Sequence, residues 1–405
     1  MNKNVNSQKV KRPSRKPQNR QKQRTPLADI IRVQGGVDRV LLVIIILLLC
    51  FGTIMVFSSS FAAAYKDEGD SYFYIKKQAK FLGIGFAAMF IFSRIDYRWI
   101  RRLTTIGFIF GCVLLAFVPI IGIAKDEAIR WIELPVIGRF QPSEPMKTGL
   151  VLMLAHYFAT YQDKIINYKD SKTSSLWGNL YPYLIVGFVC FLVALEKHFS
   201  GVIILFLIGT IVIFAGGAKK FWLLVSGGAG AFVVAVAILF TDYAKQRIDM
   251  WFHPEKYSDL GAIYQTLQGL NAIGSGGFLG VGLGNSYQKY NYVPEPQNDF
   301  IFSIVCEELG FVGALAVITL FILFVWRGFI IAMKAPDTFT TLVVIGIVGK
   351  VGLQAILNIA VVTAMIPNTG ITLPFFSYGG TALIILLIEM GIVLSISRYS
   401  YQNKQ

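Results

Sequence analysis

One carboxylate in this chain stands where a long apolar run meets polar sequence. The stretch Gly280–Gly310, GVGLGNSYQKYNYVPEPQNDFIFSIVCEELG, is polar and Gly-rich, and it delivers Asp299 to the start of an apolar segment. A side chain at that lip is where a catalyst acting on a membrane-bound substrate would stand. Asp just before an apolar helix also suits an N-cap, because its oxygen can accept the unpaired amide hydrogens of the first turn. The two readings are compatible, since a cap would also hold the carboxylate in place. Glu295, four residues earlier, either raises the basicity of Asp299 by like-charge repulsion or is simple loop polarity. Glu144 and Lys147 are three apart, so a helix starting there puts both on one face. A lone pair of that kind at an interface contributes little. The clusters Gly274-Ser275-Gly276-Gly277 and Gly280, Gly282, Gly284 either let backbone approach a ligand or neighbour closely or form surface turns.

Other chemistries find no pattern. Cys50, Cys112, Cys190 and Cys306 lie in or beside apolar runs without CxxC spacing and read as small hydrophobes. His156, His198 and His253 form no metal-ligand pair at helical spacing. Neither a P-loop nor a GxGxxG fingerprint occurs, so no nucleotide cofactor is expected.

The elements that must position Asp299 follow from composition. With 55% hydrophobic and 15% charged residues over 405 positions, the chain is too apolar for a soluble fold of this length. It reads as an all-α polytopic membrane protein, because runs of about 20 apolar residues span a hydrocarbon core of roughly 30 Å and no barrel-type alternation is present. Ten spans are expected, near 38–58, 79–94, 103–124, 146–161, 178–195, 198–216, 219–241, 300–331, 340–365 and 376–398. The tail 1–37 carries ten Lys/Arg and the single acid Asp29, which puts it in the cytoplasm by the positive-inside rule. The first run is too long for a cleaved leader, although Ala62–Ala64 follow it. Arg94, Arg98, Arg101 and Arg102, then Lys164, Lys169 and Lys172, Lys219 and Lys220, and Arg327 and Lys334 mark the other cytoplasmic connections. The C-terminal tail 399–405 returns to that side, and the long loop 242–299 between spans seven and eight faces outward. The basic tail reads as a solvated, disordered segment. Nucleic acid is not an expected partner, for want of a folded reader.

Four motifs then carry a family resemblance. They are Ile54–Ser60 (IMVFSSS), Arg130-Trp131 with Phe140-Gln141-Pro142-Ser143-Glu144 and Lys147, the loop Gly282–Gly310, and Ile366–Gly370 (IPNTG) running into Leu373–Gly380 (LPFFSYGG). In this order they resemble the SEDS family, polytopic peptidoglycan glycosyltransferases, over about Asp38 to Arg398. The wording Gly284-Asn285-Ser286 and Gln288-Lys289 is closer to the FtsW-like division and sporulation branch than to RodA-like elongation enzymes.

The resemblance implies polymerisation of lipid II on the outer face of the bacterial cytoplasmic membrane, at the division septum, with release of undecaprenyl pyrophosphate. It implies Asp299 as general base or as a ligand for a divalent cation, Mg or Mn, on the pyrophosphate. Arg130, Glu144, Lys147, Lys289 and Glu295 become substrate-binding candidates, with Arg247 a weaker one, and Thr369 and Ser377 line the external cavity. Implied partners are undecaprenyl-pyrophosphate-linked glycan, a class B penicillin-binding protein and other division-complex membrane proteins. A lipid II flippase and a non-catalytic scaffold are the alternatives; the first wants charged residues along a path through several spans, and the second does not need this loop wording.

The chain departs from the family's usual wording at Gln297-Asn298, at Glu196-Lys197-His198-Phe199-Ser200 and at Pro145. Lys350 and Glu389 also depart, standing inside spans nine and ten at matching depth. An unpaired charge there is costly, so they are expected to form a structural ion pair between antiparallel helices. Glu307 and Glu308 are expected to complement the dipole of span eight.

Overall fold

Helix α1 (Arg39–Glu68) begins where Asp38 caps it, accepting from the Leu41 amide at 2.8 Å, and ends where Gly69 takes a left-handed conformation (φ 70°). The computed structural model describes residues 35–125, 128–134, 138–166, 176–218, 221–222, 224–228, 230, 242–253, 256, 261–290 and 292–400. Helices α2 (Phe73–Arg94) and α3 (Tyr97–Ile121) follow, the second capped by Asp96. After α4 (Ser143–Ile166) a single π-helical turn, Leu176–Leu180, leads into α5 (Tyr181–Leu195), and α6 (Phe199–Ala215) comes next. Helices α7 (Asp242–Phe252) and α8 (Gly261–Gly276) occupy the long loop. The last three are α9 (Ile301–Met333), α10 (Thr338–Val362) and α11 (Gly380–Ser400), of which α10 opens on a capping box between Asp337 and Thr340.

Nine of the ten expected spans fall on helices, while the expected seventh, 219–241, and the tail 1–34 lie largely or wholly outside the described residues. Among the described residues six helical segments are long and apolar enough to cross a membrane, and Phe199–Ala215 is apolar but shorter. The expectation of an all-α chain needs one correction. Segments β1 (Ile123–Lys125), β2 (Ala128–Leu134) and β3 (Gly138–Phe140) form a small antiparallel sheet in the order β1-β2-β3 between α3 and α4. Ile129, Trp131 and Ile132 are β-formers, but Arg130 and Glu133 do not alternate strictly with them, so the stretch reads by charge as a loop.

Packing is densest where α2 meets α11 and where α9 meets α10 and α8. Small residues allow those approaches, as expected where lipid supplies no hydrophobic drive between helices. A Cβ on Gly391 of α11 would lie 2.7 Å from the Met89 carbonyl oxygen of α2. Gly52 of α1 lies against the Leu373–Phe376 turn, where a Cβ would come within 2.1 Å of the Phe375 carbonyl oxygen. Gly52→Ala is therefore expected to lower stability by about 1–3 kcal/mol through overpacking, read as a lower unfolding temperature in detergent.

At one end of the bundle three helix ends are tied together. Arg327 at the end of α9 holds Asp38 through Nε–Oδ1 (3.0 Å) and Nη2–Oδ2 (2.6 Å), and the Asp38 amide donates to Ser397 Oγ of α11 (3.0 Å). Arg398 Nε adds a bond to the Gly35 carbonyl (3.1 Å).

Candidate active site at the lip of helix α9

Asp299 stands two residues before α9, and the cap position belongs to Phe300, which makes no side-chain capping bond. The carboxylate is thus not committed to capping. Its backbone is fixed instead: Asn358 Nδ2 of α10 donates to the Asp299 carbonyl and to the Ile371 carbonyl, both at 2.7 Å. The buried Phe300 ring lies under Gly269 of α8 and anchors the residue from below. Around the carboxylate lie Glu295, Arg247 of α7, Gln265 of α8 and Gly370, where a Cβ would stand 3.8 Å from Asp299 Oδ2. Burial pushes the Asp299 carboxyl up to about 6, and Glu295 pushes the same way against Arg247 and Gln265. An aspartate in that range is mostly ionised at neutral pH and far more basic than a solvated one.

The Gly-rich stretch that leads to Asp299 is held by a break in α9. Gly310 takes φ 64° and ψ −162° inside the helix, and residues 277–282 run along the opened backbone. The Val281 and Gly282 amides donate to the Glu307 and Glu308 carbonyls (3.0 Å each), and the Phe311 amide donates to the Gly277 carbonyl (3.0 Å). Gly280 is required there, since a Cβ would lie 2.2 Å from the Glu308 carbonyl oxygen. Gly276 and Gly280 thus serve close backbone approach, whereas Gly274, Gly277 and Gly284 have open space around them, as turn residues do.

Glu307 and Glu308 do not serve the helix dipole; both are buried acceptors in that break. Glu307 accepts from Ser286 Oγ (2.5 Å) and the Tyr287 amide (2.9 Å). Glu308 accepts from Ser58 Oγ of α1 (2.7 Å) and from Lys289 Nζ (3.0 Å), and Lys289 also donates to the Gly284 carbonyl (2.5 Å). With its side chain 3% exposed, the Lys289 ammonium, a substrate-binding candidate from sequence, fastens the loop to α9. Tyr287, Tyr290 and Tyr292 stay exposed, as interfacial aromatics do.

A second polar group gathers on α4, α10 and α11. Lys147 Nζ reaches Glu144 Oε1 at 2.7 Å, with Lys147 buried. Lys350 Nζ is ion-paired with Glu389 Oε1, which also accepts from Thr148 Oγ1. Glu144, Lys350, Gln354, Ser377 and Tyr378 line a cavity of about 50 Å³. Ser377 Oγ accepts from the Leu373 amide (2.7 Å), so it shapes the turn it lies in. The Tyr378 amide donates to the Gln297 carbonyl (2.8 Å), joining this cavity's wall to the Asp299 loop.

Beside it, several polar atoms are buried without partners: Arg130 Nε on β2, both carboxylate oxygens of Glu196, and Thr369 Oγ1. The Thr369 carbonyl accepts from Ser200 Oγ (2.6 Å). Burial pushes the Glu196 carboxyl up to about 8, only partly opposed by Arg130, so it is mostly neutral at pH 7. His198 Nδ1 lies 3.3 Å from Gln141 Nε2 beside this group. The folded pKa of Glu196 lies above its unfolded value of 4.5, so the native state binds the proton more tightly and loses stability as pH rises from 4.5 to about 8. Glu196→Gln is therefore expected to raise the unfolding temperature at pH 8 more than at pH 5, measured by thermal unfolding across that range.

Comparison with known proteins decides the ancestry. The family model for FtsW, RodA and SpoVE, described as "Cell cycle protein", matches residues 38–402. The chain belongs to the FtsW/RodA/SpoVE family, the SEDS proteins. It is 38% identical over 371 residues to stage V sporulation protein E of Bacillus subtilis, covering 90% of this chain and 97% of that one. It is 36% identical over 365 residues to the probable peptidoglycan glycosyltransferase FtsW of Geobacter sulfurreducens, covering 89% and 95%. A solved chain from work on structural coordination of polymerization and crosslinking by a peptidoglycan synthase complex superposes with TM-score 0.74 at 26% identity, covering 90% and 99%. Thermus thermophilus RodA superposes with TM-score 0.66 at 26% identity, covering 90% and 98%.

Within this SEDS fold the candidates named from sequence divide into two places. Asp299 and Glu295 share one, while Glu144, Lys147 and Ser377 surround the other together with Lys350. Arg130 acts electrostatically on Glu196 and His198 near the second place. Residues 368–379 join the two, with Gly370 at Asp299 and Ser377 at the second cavity. Sequence reading missed Gln265, Gln354 and Asn358. For two of them the signal was present: Lys350, Gln354 and Asn358 are four apart and form one polar stripe on an otherwise apolar helix.

Proposed function

We propose that this chain is a peptidoglycan glycosyltransferase that polymerises lipid II on the outer face of the cytoplasmic membrane. The observation that carries the reading is the Asp299 carboxyl, fixed through its backbone by Asn358, uncommitted to capping and pushed up to about 6 by burial. In the reaction a carboxylate oxygen of Asp299 takes the proton from the 4-hydroxyl of the acceptor's GlcNAc as that oxygen bonds to C1 of the donor sugar. The C1–O bond to pyrophosphate breaks, and undecaprenyl pyrophosphate leaves with the bonding pair. A base of pKa near 6 is matched to that transfer at neutral pH. Arg247 brings positive charge to the side where the pyrophosphate anion develops.

A divalent cation fits this place in one way. Among the described residues no group of three His, Cys, Asp or Glu could hold a metal alone. Asp299 and Glu295 repel each other, and a cation shared with substrate phosphates would relieve that repulsion. When bound, Mg²⁺ or Mn²⁺ would neutralise charge on the departing pyrophosphate.

In this reading ten spans cross the membrane, both termini are cytoplasmic, and the 242–299 loop is extracytoplasmic, supported by the basic tail and connections. Arg130, Glu144 and Lys147 contact the lipid-linked sugars or phosphates, Thr369 and Ser377 shape the wall, and Lys289 holds the loop. The partner is a class B penicillin-binding protein that crosslinks the strands, supported by the likeness to a chain of a peptidoglycan synthase complex. The site of action is the division septum, or the spore envelope, as the FtsW and SpoVE relatives suggest. Purified protein given lipid II, alone and with its partner, is expected to make glycan strands; no strands in either condition would overturn the reading.

A further inference from the structure

A cavity of about 120 Å³ opens between α7, α8 and the residues that follow α10, with Arg247, whose charge acts on Asp299, in its wall. Its wall is mainly apolar, with Met250 and Trp251 from α7, Ile263 and Leu267 from α8, and Ile366. Arg247 is the charged residue among those lining it, and Arg247 and Asn368 connect it to the catalytic carboxyl. The Arg247 charge acts on Asp299, its guanidinium donates to the Asn368 carbonyl, and Asn368 lies two residues before Gly370, which faces Asp299 Oδ2. Trp251 Nε1 donates to the Ala364 carbonyl (2.9 Å) and so pins α7 over the end of α10. Exposed Phe252, next in sequence, leaves an apolar approach on that side.

The order of surfaces away from Asp299 is thus carboxylate, guanidinium, apolar cavity. A lipid-linked glycosyl donor has the same order: reacting sugar carbon, pyrophosphate, prenyl chain. We propose that this cavity receives the first prenyl units of the donor's carrier lipid, with Arg247 at its mouth beside the pyrophosphate. The inference rests on the glycosyltransferase reading and adds a donor side to it. Charge complementarity with Arg247 and continuity with Asp299 argue for the donor's pyrophosphate-prenyl junction over a free acyl chain, which would bring no dianionic phosphate to the mouth.

Two measurements test it. A farnesyl pyrophosphate analogue carrying a diazirine on its first prenyl unit, irradiated with the intact wild-type protein in detergent, is expected to label α7 or α8. In the second, Leu267→Trp fills the cavity and is expected to raise KM for lipid II about tenfold with kcat little changed, the mark of lost binding common to ground and transition states. Prenyl adducts confined to other helices overturn the proposal whether or not Leu267→Trp folds. Adducts at α7 and α8 from a diazirine placed on the donor sugar, with none from the prenyl label, overturn it in favour of a sugar stacked on Trp251. Wild-type protein that makes no glycan with its partner present defeats the glycosyltransferase reading, and the proposal with it. Active wild type with an unchanged KM in folded Leu267→Trp defeats the proposal alone.

Discussion

Asp299→Asn is expected to reduce lipid II polymerisation by about 10²–10⁴-fold, the range for losing a general base, while the protein remains folded. The amide keeps the size and the backbone position set by Asn358, so the substitution removes proton acceptance with little other change. Wild-type kcat/KM should fall about tenfold per pH unit below the value near 6 at which Asp299 protonates. A second consequence separates catalysis from folding. The native pKa of Asp299 lies above the unfolded 3.8, so the native state binds the proton more tightly and wild type loses stability as pH rises from 3.8 to about 6. Asp299→Asn should thus be inactive yet unfold at a higher temperature than wild type at pH 7. Strand synthesis by the variant at near wild-type rate would remove Asp299 from the reaction, and a collapsed variant would remove the stability argument.

Lys350 and Glu389 are expected to show the largest stability effect. Their side chains are 4% and 0% exposed and pair with each other across α10 and α11, with Thr148 donating to the same glutamate oxygen. Removing one partner strands the other charge in a dry interior, so Lys350→Met or Glu389→Leu alone should cost about 3–5 kcal/mol. The double variant removes both charges and should recover most of that loss, because apolar replacements of a buried pair are often neutral or stabilising. A double-mutant cycle on thermal unfolding in detergent measures it. If the double variant is as unstable as the worse single one, the pair is not what holds these helices. Polymerisation by a folded double variant indicates a purely structural pair, while a folded but inactive one ties the pair to the cavity shared with Glu144.

The helices were legible because a spanning helix must be apolar along about 20 residues, a requirement written locally in the sequence. Asp299 was legible for a related reason, since a carboxylate at the start of such a run is conspicuous. Lys289 was not, because nothing near it in sequence reveals that Glu308 and the Gly284 carbonyl enclose its ammonium. Those contacts exist only because α9 breaks at Gly310 and admits the loop, and a glycine inside an apolar run does not announce a left-handed residue. The sheet around Arg130 was hidden because its strands are short and β2 mixes charges with adjacent apolar residues, without a clean alternation to mark a strand. Asn358 carried a visible signal in its spacing from Lys350, but its role depends on two carbonyls 59 and 13 residues away in sequence.

The knot of helix ends at Asp38 bears on how the molecule is made. Asp38 stands at the start of α1, yet its partners Arg327 and Ser397 lie 289 and 359 residues further on in sequence. Neither bond can form until α9, and then α11, has been made. Without Ser397 and Arg398 the Arg327 pair with Asp38 remains, but the bonds from α11 to Asp38 and Gly35 are missing. Full docking of the start of α1 therefore comes late, after α11 has been made.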